Sequence, residues 1–182
     1  MMRRMLVASA AVFALALAAP LTANAQSIFV LAGASLPTGD YGDFADTGWM
    51  VAGGVSFDIG EGGLFAGAEG LYSRHGTEAD GVSAKPYSVM GFLGYDIPTE
   101  SSFSPYVFAG AGIQGVSVSF DGESDSSSAF GYQFGVGGAF EGDSNITPLV
   151  EVRYQGSGDE EVDLNFIGIA AGVSIGVGNN SN

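Results

Sequence analysis

The side chains able to do chemistry are few, and they fall into three groups. His75 is the only imidazole in the sequence. With Ser73 and Glu78 close by in the chain, it supplies the atom types of a serine–histidine–acid set. The spacing matches no nucleophile motif, however, and a lone histidine at an outer strand end is ordinarily just solvated. No catalytic residue is assigned on this basis. The second group is acidic: Asp40, Asp43 and Asp46; Asp121, Glu123 and Asp125; and Asp159, Glu160 and Glu161. Asp121, Glu123 and Asp125 alternate like the ligands of a calcium loop, but the later glycine and bidentate glutamate of such loops are absent. These runs read as a solvated, repulsive surface that bridges divalent cations weakly if at all. Neither a metal site nor a cofactor is expected. The third group is Glu69, Gln133, Glu151, Arg153 and Gln155, polar residues on otherwise apolar segments. Their chemistry is that of charge pairing.

The elements that must position these residues are β strands. Eight segments stand between clusters of glycine, proline, aspartate and serine. They run over residues 27–36, 48–59, 63–73, 86–97, 103–120, 128–141, 147–155 and 164–177. No window carries a sustained helical stripe, so the strands join in sequence as an antiparallel meander. The gaps alternate in length. Short ones follow the second, fourth and sixth strands (60–62, 98–102, 142–146), and longer ones follow the first, third, fifth and seventh (37–47, 74–85, 121–127, 156–163). Short turns at one end and long loops at the other fit a membrane barrel.

Composition sets the compartment. Arg3 and Arg4 precede an apolar run from Met5 to Ala19, and Ala23-Asn24-Ala25 is a small-x-small cleavage site. Residues 1–25 therefore read as a cleavable signal peptide, with one domain over 26–182. All 20 acidic residues follow that segment, against Arg74, Lys85 and Arg153. Such a surface repels nucleic acid. Disorder is excluded by 13 Phe, 7 Tyr and 1 Trp, and disulfides by the absence of cysteine. No later stretch is long and apolar enough for a membrane helix, so a membrane could be crossed only by strands.

The faces of those strands decide between a soluble barrel and a membrane one. Trp49, Tyr72, Tyr87, Tyr132 and Tyr154 fall at the long-loop ends, and Phe57, Tyr95 and Phe140 at the short-turn ends. Between them the same face carries mainly Val, Leu, Ala and Gly. Two aromatic girdles around an aliphatic band match the two interfaces of a bilayer. The opposite face holds Glu69, Gln133, Glu151 and Arg153. In a narrow eight-stranded lumen these should gather as an arginine–carboxylate cluster that plugs it, the alternative being that they line a wet polar cavity. The first and fifth strands are apolar on both faces, and their orientation stays open.

The phrases Met90-Gly91-Phe92-Leu93-Gly94-Tyr95 and Ser104-Pro105-Tyr106-Val107-Phe108-Ala109-Gly110-Ala111-Gly112 resemble the OmpA-like and OmpX-like outer-membrane β-barrel family, the porin-family group. Phe134-Gly135-Val136-Gly137-Gly138 and Leu149-Val150-Glu151-Val152-Arg153-Tyr154 extend the resemblance over the chain from Gln26 to about Val177. The last strand departs from the family pattern, since Gly172 to Val177 lacks a terminal aromatic residue. The resemblance implies an all-β, eight-stranded antiparallel up-and-down transmembrane barrel in a Gram-negative outer membrane. It also implies contact with outer-membrane lipid, lipopolysaccharide and the barrel-assembly machinery, and no peptidoglycan-binding domain is expected. A structural or surface-interaction role follows, with no enzyme activity and no open pore. Two alternatives remain: a soluble periplasmic lipocalin-like carrier of an apolar ligand, and a lipid-modifying outer-membrane enzyme.

Overall fold

The computed structural model describes residues 26–77, 83–120, 123–142, 144–158 and 164–177. Residues 1–25, which the sequence leads one to expect as a signal peptide, Glu78, Asp121 and residues 159–161 lie outside the described residues. Period-two alternation is realised as eight strands: β1 (Gln26–Thr38), β2 (Gly48–Asp58), β3 (Leu64–Gly76), β4 (Ser83–Asp96), β5 (Phe103–Phe120), β6 (Glu123–Phe140), β7 (Ile146–Ser157) and β8 (Asn165–Gly176). Each strand pairs antiparallel with its sequence neighbours. β8 returns to β1 over Ser27↔Gly176 to Thr38↔Asn165, which closes the barrel. Closure leaves no edge strand, so the ladder satisfies the backbone without water.

Glycine makes one short link possible. Between β2 and β3, Gly60 and Gly63 adopt φ of +73° and +79°, a left-handed geometry that other residues reach only under strain. The Ile59 amide donates to the Leu64 carbonyl at 2.7 Å to tie the turn.

Several boundaries at the long-loop end differ from the sequence expectation. β6 begins at Glu123 rather than Ser128, and β5 and β6 stay paired from Phe103↔Phe140 to Phe120↔Glu123. The serine-rich run reads as loop by composition, but cross-strand backbone bonds recruit it into the hairpin. Asp121-Gly122, a strong two-residue hairpin sequence, was the overlooked signal. β3 continues past Ser73 to Gly76, which makes His75 a strand residue. Beyond β1, a short 3₁₀ turn (Gly39–Asp43) folds over the long-loop end and buries Tyr41 against Ala45, Ala84 and Leu164.

The two open orientations are settled by burial. In β1, Phe29, Leu31 and Ser35 face inward while Ile28 and Val30 face out. In β5, Tyr106, Phe108 and Gln114 face inward while Val107 and Ile113 face out. The outward surface is apolar around the barrel, with Val51, Leu93, Phe134, Val136, Val152, Ile169 and Ile175 all exposed. A soluble carrier would hide such residues inside, so the lipocalin-like alternative is overturned by the direction of its greasy face.

Candidate functional site: the barrel interior

Arg153 is the centre of the interior, although only 2 % of its surface is exposed. It sits on β7 between two inward glycines, Gly135 on β6 and Gly168 on β8, its direct cross-strand partners. Without side chains there, the guanidinium stem has room to lie across the lumen. Its NH1 donates to Glu69 Oε1 and its NH2 to Glu69 Oε2 at 3.1 Å, a two-pronged pairing from β3. Its Nε donates to Glu151 Oε1 at 2.6 Å, and the second Glu151 oxygen accepts from the Tyr106 hydroxyl at 3.1 Å. Gln133 Oε1 accepts a longer bond from NH1 at 3.4 Å. Glu69, Gln133, Glu151 and Arg153 are thus brought into one network, and the Phe108 ring stacks 5.4 Å from the guanidinium carbon. Fork geometry of this kind suits arginine, whose donors match a carboxylate pair.

Beyond the cluster, toward the long-loop end, the lumen is filled. Met50, Met90, Gln114, Gln155 and Phe166 are all buried, and Gln155 Nε2 donates to Gln114 Oε1 at 3.2 Å. His75 closes this half and is fully buried, contrary to the solvated loop histidine expected from sequence. Its odd position in β3 points it inward with Ser73, Leu71 and Glu69. His75 Nδ1 lies 3.0 Å from the Asp46 carbonyl, which can only accept, so Nδ1 carries the proton. Nε2 then accepts from Ser35 and Ser73, each 3.3 Å away. The set joins a serine to an imidazole, no carboxylate among the described residues is hydrogen-bonded to that imidazole, and the set faces the enclosed interior.

On the other side of the cluster the lumen is hollow. A cavity of about 200 Å³ opens at the short-turn end, with Arg153, Glu69 and Glu151 as its floor. Its wall is a belt of rings: Phe29, Phe65, Phe92, Tyr106 and Phe108, packed edge to face or tilted at centroid distances of 6.0 to 6.3 Å. Every ring stands directly across the ladder from an inward glycine: Phe29 from Gly54, Phe65 from Gly94, Phe92 from Gly67, Tyr106 from Gly137 and Phe108 from Gly135. A Cβ on any of these glycines would collide with the facing ring. The rings therefore lie along the wall and leave the middle empty. Sequence reasoning missed this belt because the face was read as polar. The parity of Phe92 against Leu93 and Tyr95 was the signal.

Carboxylates mark the mouth. Phe57-Asp58, Tyr95-Asp96 and Phe140-Glu141 each place a girdle aromatic outward and an acid next to it. Asp58 and Asp96 line the cavity, and Ser104 donates to Glu141 beside them.

The remaining girdle residues follow the outward register. Trp49 is 49 % exposed and packs 5.6 Å from Tyr72, which pairs with Tyr87. Tyr132 and Tyr154 lie 6.3 Å apart on the same belt. Phe57, Tyr95 and Phe140 share the opposite end with Phe103, 5.1 Å from Phe140. An edgeless barrel with a charged interior, an apolar exterior and aromatic rims belongs to the class of eight-stranded transmembrane barrels.

Comparison with known proteins gives the family. Residues 8–175 match the outer membrane protein beta-barrel domain, and the chain belongs to that family. A 22 kDa outer membrane protein of Rhizobium leguminosarum bv. viciae is 31% identical over 130 residues, 69% of this chain. The aligned region spans 56% of that relative's own length. Among solved structures, Neisserial surface protein A superposes with a TM-score of 0.69 at 21% identity, covering 82% of this chain and 96% of that one. The attachment invasion locus protein Ail of Yersinia pestis, solved with the heparin analogue sucrose octasulfate, gives 0.54 at 18%, covering 85% and 100%. The protein is an outer-membrane β-barrel, and its short-turn end faces the periplasm.

Proposed function

We propose that this protein is a closed, non-catalytic outer-membrane barrel that serves a structural or surface-interaction role. The observation that carries the reading is Arg153, held by Glu69 and Glu151 across the lumen and almost wholly buried. A wide pore would leave that guanidinium wet. Surface interaction is supported by the β5–β6 hairpin, whose 18-residue strands are longer than the roughly 9–11 residues a bilayer needs. The contacts that such a surface makes first are with lipid and lipopolysaccharide, and the barrel-assembly machinery would have inserted it there. Catalysis on lipid is disfavoured because Ser73 and His75 face the interior, away from the bilayer.

Planar-bilayer recording tests the closure. The parent protein should insert without steady conductance. A parent that passes ions continuously overturns the reading. If Arg153→Ala conducts where the parent does not, the cluster is the plug. If it stays silent, closure is assigned to the packed layer of Met50, Met90 and Phe166.

A further inference from the structure

We propose that the periplasm-facing half of the lumen is a binding site for a small organic ammonium ion, held by aromatic ring faces below a rim of carboxylates. The cavity is enclosed on its sides and floor and open only toward the short-turn end, where its lining includes Ser27, Ser56, Thr147 and Ser174. Its ionisable lining is Asp58, Glu69, Asp96 and Glu151 against Arg153 alone. Arg153 is already engaged by Glu69 and Glu151, so among the described lining residues no further cationic side chain faces the rim acids.

Aromatic faces attract a cation through their quadrupole, most strongly where water is excluded. The pocket already makes one such contact, between the Arg153 guanidinium and Phe108. A second cation entering from the mouth meets Phe29, Phe65 and Phe92 before it reaches the floor. A hydrated metal ion gains little from an apolar wall, whereas an ammonium on a short carbon body fits both the wall and the rim. An anion is opposed at the mouth by Asp58, Asp96 and Glu141 together.

The test uses three probes of one shape: benzylammonium, benzyl alcohol and benzoate. Calorimetry is run on the full mature chain in a maltoside detergent with 0.1 M sodium chloride, since zwitterionic detergents would compete for the site. Benzylammonium should bind saturably. Benzyl alcohol should be weaker by about tenfold or more, and benzoate should not bind. The Asp58→Asn/Asp96→Asn double variant should lose about tenfold for benzylammonium and leave benzyl alcohol unchanged. Heat-modifiable gel migration reports folding of each variant. Ser174→Trp, which fills the mouth without touching the charge, should abolish binding and serves if the double variant does not fold. Equal binding of the three probes, or full affinity after Ser174→Trp, overturns the proposal. Preferred binding of benzoate overturns it as well, because the site would then belong to Arg153.

Discussion

Arg153 shows how a residue can be legible in sequence before its neighbours are. A lone arginine at an inward position of a narrow barrel demands carboxylates, and parity alone nominated Glu69 and Glu151. What parity could not give was the space around it, which comes from Gly135 and Gly168 on the flanking strands. Removing one member of a buried ion network leaves uncompensated charge, typically at about 3–5 kcal/mol. Arg153→Met should therefore lower the urea midpoint in detergent strongly. Adding Glu69→Gln and Glu151→Gln to it should recover much of the loss, because no unpaired carboxylate then remains. His75 was misjudged at this scale for a simple reason: its surroundings come from Asp46, Ser35 and the 3₁₀ turn, which are distant in sequence.

At the scale of elements, the number and order of the strands could be read from alternation and turn residues, because period two and punctuation are local properties. Their outer ends could not. Serine-rich residues 123–127 carry no apolar alternation, and only the register of β5 against β6 makes them strand. This predicts that the far end of the hairpin is dispensable. Replacing residues 117–126 by Asn-Gly should retain heat-modifiable migration and a urea midpoint close to that of the parent, since loop tips tolerate shortening. Loss of the folded band would show that the hairpin supports the barrel. The 3₁₀ turn behaves differently, because its Tyr41 ring packs 5.4 Å from His75 inside the long-loop end. Tyr41→Ala removes a buried ring, so it should destabilise by about 3 kcal/mol, within the usual range for such truncations. Denaturant titration of the two variants side by side would rank the elements.

For the whole molecule, the polarity of the two faces was the most legible property, since each strand states it independently and the barrel adds the statements up. Trp49 is the single tryptophan and points into the outer girdle, which makes it a depth gauge. In liposomes its fluorescence should be quenched more by lipids brominated near the headgroup than by lipids brominated near the chain ends. The reverse order would place the bilayer elsewhere on the barrel. The hollow half of the lumen was the least legible property, because emptiness is set by pairs of residues on different strands. That has a consequence for inheritance. Ring and glycine share one plot of volume across the ladder, so the glycine cannot grow alone: Phe108 cannot be kept while Gly135 grows. Among descendants of this gene, substitutions in the periplasmic half should arrive as couples that exchange bulk from one strand to the next, and the diameter of the hollow should outlast the identity of the residues that bound it.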